Sequence, residues 1–161
     1  MSRLAPHQRL TPSILDRLTA DPGTNSSPAG MMFDLRQMVD AVRRDLEDLL
    51  NTRRAARDVV EGFEEVRGSV VAFGMPDLSA VPAGTEGERQ EVGRVIEGVI
   101  NCFEPRLREV RAQLVESTNG RERSVRFHIH ARLAVDPSPE VGFDTVLELT
   151  TGYASVKRSE D

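Results

Sequence analysis

Val125-Arg126-Phe127-His128-Ile129-His130-Ala131-Arg132-Leu133 alternates apolar and polar residues without a break, and Val135 continues the apolar series. A period of two sends every second side chain to the same face, so this stretch reads as a strand with one buried and one wet side. The same period appears on both flanks. Upstream, Val110, Ala112 and Leu114 alternate with Glu109, Arg111 and Gln113. Downstream, Val141, Phe143, Thr145, Leu147 and Leu149 face away from Asp144 and Glu148. Asn119-Gly120 supplies the residues of the first turn, and Asp136 to Pro139 those of the second. The pattern predicts a three-stranded antiparallel meander whose apolar face needs a cover.

Two helical periods upstream supply that cover. From Met31 to Leu50 the apolar residues fall at 31, 32, 35, 38, 39, 42, 46, 49 and 50, with Arg43, Arg44, Glu47 and Asp48 mostly opposite. Thr85 and Glu88 have the spacing of a capping box, and Val92, Val95, Ile96, Val99, Ile100 and Phe103 form the stripe behind it. Pro105 disfavours helical geometry at Glu104 and ends this helix. Gly93 and Gly98 weaken it by about 1 kcal/mol each relative to Ala, the mark of close packing or of tolerance. Strands after helices, with one sheet face covered, make the fold class α+β, a three-stranded antiparallel meander packed against two amphipathic helices.

The rest of the chain is less regular. Thr11 and Pro12 suit the cap and first position of a short helix carrying Ile14, Leu15 and Leu18. The Pro-, Gly- and Ser-rich run from Asp21 to Gly30 reads as a linker, which makes the N-terminus a flexible tethered peptide. Ser69 to Phe73 is expected to be a strand fragment or buried loop ending at Gly74-Met75-Pro76-Asp77, and residues 51–68 carry no assignment. The expected organisation is a tether and linker over 1–30, a domain over 31–152 and a tail over 153–161.

Composition narrows the functions. A chain of 161 residues accommodates one ordinary domain, and a net charge of -5 opposes a main role in coating nucleic acid or anionic lipid. Lys157 is the only lysine among 21 cationic residues, so arginine carries the basic side. Cys102 is the sole cysteine, leaving no internal disulfide and no cysteine-built metal site, and a reducing cytoplasm fits. Arg3, Pro6, Gln8, Arg9, Asp16 and Arg17 break any leader-like apolar run, and direct membrane insertion is not expected.

His128 and His130 leave the same strand face, a geometry usable by a metal, but Arg126 and Arg132 share that face and oppose a cation. Pairing of Arg126 or Arg132 with Asp144 or Glu148 is the simpler reading. Cys102 reads as a small buried hydrophobe beside the second helix stripe. No nucleophile elbow, phosphate loop, dinucleotide fingerprint or zinc-protease motif is present, and no cofactor is expected. A hydrolase would use Glu104 as acid with Glu109 or Asp77 as second carboxylate, without aromatics to bind a sugar. Glu104-Pro105-Arg106-Leu107 is harder to dismiss. A carboxylate at a helix C-terminus faces the negative end of the dipole, and neighbours around a proline are expected to reach different partners across the corner.

Four short pieces carry a resemblance: Ile14 to Thr19, Asp45 to Arg53, Phe73 to Leu78, and Phe103 to Leu107. In this order and spacing they resemble the T4-type baseplate wedge, lysozyme-like family, and within it the TssE branch of bacterial type VI secretion systems. Ala55 to Arg67 departs from the pattern by lacking the Gly-Glu-Arg that often follows the Thr-Arg pair. The resemblance implies a non-enzymatic structural subunit, cytoplasmic at a membrane-docked baseplate. There it would sit in a hetero-oligomer with the wedge proteins TssF, TssG and TssK and with contractile sheath subunits. Glu104, Pro105 and Arg106 take the family's functional triplet as a partner-binding corner, and Ile14, Leu15 and Leu18 are expected to bind a wedge partner. Sheath assembly is expected to start by strand addition to an open edge of the meander. Alternatives are a phage tail or extracellular contractile particle, or a peptidoglycan hydrolase acting through Glu104.

Overall fold

The computed structural model describes residues 10, 12–19, 34–54, 63–78, 85–115 and 124–159. Elements follow in the order α1 (Ile14–Thr19), α2 (Leu35–Asn51), α3 (Glu64–Arg67), a 3-10 turn (Val70–Ala72), α4 (Glu86–Phe103), then β1 (Leu107–Val115), β2 (Ser124–Leu133), β3 (Glu140–Glu148) and β4 (Ala154–Arg158). The strands form one antiparallel sheet in the order β1-β2-β3-β4.

The α+β class and the meander agree with the sequence pattern, but the sheet has four strands rather than three. β4 comes from the segment assigned to the tail. Its five residues place only Ala154 and Val156 inward, too few to show a period in the sequence. Register follows the pleat: Phe127 pairs with Thr145 and Leu114, and Ile129 with Phe143 and Ala112, so the inward side chains of all strands share one face. Glu109, at φ 55°, lies in a bulge of β1 that lets Leu107 and Val110, three residues apart, both turn inward.

α2 and α4 cover that face with Met38, Val42, Leu46, Leu49, Val92, Ile96 and Ile100 against Phe127, Ile129, Leu133 and Phe143. Thr85 and Glu88 form the expected capping box on α4. α2 begins at Leu35 under a second box, Asp34 with Gln37, that the sequence reading missed. Met31 and Met32, like the Asn119-Gly120 turn, the Asp21 to Gly30 linker and most of Ala55 to Arg67, lie outside the described residues.

Three smaller expectations are corrected. Ser69 to Phe73 is neither strand nor buried loop: it holds the 3-10 turn, with Ala72 inward and Val70 87% exposed. α1 starts at Ile14 with Ser13 as its cap, not Thr11, because the Ser13 hydroxyl accepts from the Asp16 N–H at 3.1 Å. Cys102 is exposed, its thiol directed at the Arg67 carbonyl at 3.4 Å, since two residues past Ile100 is about 200° round the helix.

The sheet edges are also not the open rims expected of a free meander. Along β4, Asn51 binds both main-chain groups of Ala154 (2.8 and 2.9 Å), Glu47 accepts from the Val156 N–H (3.3 Å) and Arg43 donates to the Val156 carbonyl (3.2 Å). On β1, Glu97 of α4 accepts from the Ala112 N–H at 2.7 Å. The two helices that cover the face therefore also cap part of each edge, at Ala154 and Val156 on β4 and at Ala112 on β1.

Gly74, at φ 102°, brings its backbone onto Thr52, whose carbonyl oxygen would stand 2.3 Å from an added Cβ; Met75 and Thr52–Arg54 exchange bonds of 2.7 and 2.9 Å there. The two helix glycines differ. A Cβ on Gly93 would come within 3.1 Å of the Phe127 ring, whereas one on Gly98 would meet nothing within 4 Å. Gly98→Ala should raise the unfolding free energy by about 0.5–1 kcal/mol, and Gly93→Leu should lower it by roughly 1–3 kcal/mol. Urea denaturation of both variants checks the contrast; equal effects would remove the packing role of Gly93.

Candidate functional site

Glu104 caps the C-terminus of α4, Pro105 stands exposed, and Arg106 leads into β1. The sequence reading sent Glu104 and Arg106 to different partners; the structure brings them together. Arg106 Nε donates to Glu104 Oε1 at 2.7 Å, its Nη2 binds Glu104 Oε2, and its main-chain N–H adds a third bond to Oε1 at 3.1 Å. Pro105 holds the turn tight enough for this fork-to-fork contact, the strongest form of an arginine–carboxylate pair. Glu104 is 4% exposed, and the guanidinium supplies the positive charge the helix terminus asks for.

Arg106 is shared. Its Nη2 also donates to Asp45 of α2 at 2.6 Å, and Asp45 in turn accepts from Arg44 Nη2 at 2.9 Å. Arg44 reaches Asp16 of α1, which is only 5% exposed and also accepts from the Ser13 hydroxyl at 2.7 Å. Three carboxylates and two guanidinia thus alternate in one line from α1 through α2 to the corner. The main chain locks the same corner into the sheet, as the Ala134 N–H donates to the Arg106 carbonyl at 2.7 Å.

The electrostatics follow from this alternation. Burial by itself pushes the Asp16 carboxyl upward, but the Arg44 and Ser13 bonds outweigh it and hold it below the ordinary aspartate range. Burial likewise opposes the charge on Arg106, and the hydrogen bonds and charges of Glu104 and Asp45 overcome it, raising its pKa above the usual arginine value. Arg106 Nη1 is buried and finds no acceptor among the described residues. Beside it lies a cleft of about 400 Å³, lined by Leu49, Phe73 and Phe103 with Ser13, Asp45 and Pro105 at its margin.

The other expected partner-binding residues lie on α1. Ile14 is 75% and Leu18 76% exposed, one helical turn apart, while Asp16 faces the domain. Among its described side chains this small helix buries Asp16 and presents Ile14 and Leu18 outward; the Leu15 side chain lies outside the described residues. Arg44, Asp45 and Asp16 were missed as site residues, although Asp16 and Asp45 fall inside the stretches that carry the resemblance.

On the wet sheet face, His128 Nδ1 and Asp144 Oδ1 are 2.6 Å apart and the His130 ring lies 4.1 Å from that of His128. Asp144 therefore pairs with His128 across β2 and β3. Arg132 instead stands 3.9 Å from Glu109 and donates to the Ser138 carbonyl at 3.3 Å. Among the described residues no group of three His, Cys, Asp or Glu side chains converges as a metal site, and no helix is long and apolar enough to cross a membrane.

Removing one member of the charge line strands its neighbours, so Arg106→Ala should cost about 3 kcal/mol, whereas Glu104→Ala with Arg106→Ala together should cost less than the single change. Chemical denaturation of both variants measures this order. A second expectation concerns acid. The folded-state pKa of Asp16 is depressed, so its stabilisation is full above the unfolded aspartate value near 3.8 and is lost as pH falls through the lowered one. Asp16→Asn should therefore flatten the loss of stability below about pH 4; an unchanged acid limb would contradict the Arg44 pairing.

A family model described as baseplate wedge protein gp25 matches residues 36–138, which contain α2, α4, the corner, β1 and β2. No curated protein and no solved structure matches the chain. With well over half of the chain inside that match, Asp45, Glu104 and Arg106 included, the chain belongs to the gp25 family of baseplate wedge proteins.

Proposed function

We propose that this chain is the TssE-type subunit of a type VI secretion baseplate, a non-enzymatic part that links wedge proteins to the contractile sheath and helps its assembly begin. The observation that carries the reading is the corner itself: Glu104 and Arg106 are buried into one another and into Asp45, with exposed Pro105 held at the apex. A rigid, charge-locked apex suits a docking point that must keep one orientation under mechanical load. TssF, TssG and TssK are the proposed wedge partners, at the cytoplasmic side of a docked baseplate, and the outward apolar face of α1 is their proposed contact.

Strand addition to an edge of the meander has to avoid Ala154, Val156 and Ala112, which α2 and α4 already cap. Sheath attachment is accordingly placed at the corner and the adjoining cleft. A phage tail or extracellular contractile particle would use the same module, and co-purification with its own sheath protein separates these cases. A hydrolase acting through Glu104 is disfavoured on this geometry, since both carboxylate oxygens are already engaged by Arg106.

Cells carrying Glu104→Ala with Arg106→Ala should contain the folded subunit but no sheath assembled on baseplates; normal sheath tubes by electron microscopy would contradict the proposal. Ile14→Asp with Leu18→Asp should reduce co-purification with the wedge proteins and leave the unfolding midpoint nearly unchanged, since both side chains are exposed. A turbidity assay on peptidoglycan, with Glu104→Gln as control, should show no clearing by either protein.

A further inference from the structure

The face of the sheet turned away from the helices carries a cluster that the baseplate reading does not use. Gln113, His128, Asp144 and Lys157 stand in one row across the four strands, and Arg111, His130 and Gly142 stand in the next. His128 Nδ1 lies 2.6 Å from Asp144 Oδ1. A carboxylate accepts and does not donate, so the imidazole proton sits on Nδ1 and the lone pair on Nε2. Asp144 thereby fixes both the tautomer and the ring orientation, as the carboxylates behind metal-bound histidines do.

The lone-pair nitrogen lies over Gly142. A Cβ built there would come within 3.1 Å of His128 Nε2 and 3.1 Å of the Ser159 Cβ, so glycine keeps a shallow pit open between β2 and β4. The His130 ring reaches the same place, its centroid 4.1 Å from that of His128 and its plane tilted by 58°. Neither His128 Nε2 nor the His130 ring makes a hydrogen bond to any described residue. The guanidinia expected to oppose a cation are in part drawn off. Arg132 donates to the Ser138 carbonyl at 3.3 Å and stands 3.9 Å from Glu109, and Arg111 donates to the Val110 carbonyl at 3.1 Å. Arg126, one rung from His128, and Lys157, in register with Asp144, remain close enough to make a site here modest in affinity rather than tight.

We infer that His128 and His130 chelate one divalent transition-metal ion of the nickel and copper class, with Asp144 as the positioning carboxylate. Imidazole nitrogens suit these ions, and two of them carried by one strand make the second bond intramolecular. No third His, Cys, Asp or Glu converges on the pair among the described residues, so water completes the shell. A closed structural zinc site, which takes four protein ligands, is a different arrangement from this one. An ion held by two nitrogens keeps open positions for an outside ligand. The inference needs only the purified chain and stands apart from the baseplate reading.

The untagged full chain, titrated with nickel chloride alone, supplies the test, read by calorimetry and by paramagnetic broadening of amide resonances. One ion per chain, with broadening centred on His128, His130 and Gly142, is the expected result. His128→Ala and His130→Ala should each weaken binding at least about tenfold, and Asp144→Ala, which leaves both nitrogens in place, should weaken it about 10–100-fold. His7→Ala, which removes the third histidine of the chain, should change nothing. His128→Gln and His130→Gln serve as second variants should alanine disturb the sheet. The inference is overturned if the double variant His128→Ala with His130→Ala binds as tightly as the unaltered chain, if the broadening centres elsewhere, or if Asp144→Ala leaves the affinity unchanged. Equal binding of magnesium would also overturn it, because that hard ion prefers oxygen ligands and would reduce the pit to a general cation contact.

Discussion

The guanidinium of Arg106 holds the fold together at the point where its two halves meet. It sits at the junction of α4 and β1, forks onto the carboxylate that closes the helix, and reaches across to Asp45 on the other helix. A helix terminus, a proline turn and a strand start must all keep fixed angles for the strand to enter the sheet. One planar, always-charged group with donors on two sides can fix all three. Its charge is useful because it is mostly withdrawn from water, where ionic contacts count for more, and its cost is met by being shared between two acids.

The same economy governs the sheet. A four-stranded ribbon of this kind has two edges and one apolar face, and the helices cover that face and cap single positions on each edge. α2 does so with a side-chain ladder: Asn51, Glu47 and Arg43 stand in for the strand that β4 lacks. α4 does it by lying so close to the sheet that a Cβ on Gly93 would press on the Phe127 ring of β2, and Glu97 reaches the Ala112 amide of β1. Side chains rather than another strand meet part of each edge, which limits edge-to-edge pairing with another sheet. Asp16 ties the N-terminal helix to this frame, while Ile14 and Leu18 stay exposed for outside contacts.

Much of this was written plainly in the residue pattern. The alternation across Val125 to Leu133, the capping box at Thr85 and Glu88, and the stop at Pro105 each rest on local physics, so they survive intact in the fold. What escaped depended on distant partners. β4 carries two inward residues, and only pairing with β3 makes Ala154 to Arg158 a strand. Asp16, Arg44 and Asp45 are ordinary surface charges in sequence and become a network once α1, α2 and the corner converge. Glu104 and Arg106 pair with each other rather than with separate partners because the tightness of the turn at Pro105 is a matter of geometry that the sequence does not spell out. Cys102 stands about 200° round the helix from buried Ile100 and so falls on the exposed face, despite apolar neighbours in the sequence.

The central claim is that Glu104 and Asp45 act on the fold through one shared guanidinium, and a double-mutant cycle with Asp45→Asn and Glu104→Gln tests it most directly. Measured by equilibrium denaturation, the two changes should be coupled by about 1 kcal/mol or more, because each alters the partner the other depends on. Additivity to within about 0.3 kcal/mol would mean that the two acids act independently and that the corner is held by something other than Arg106.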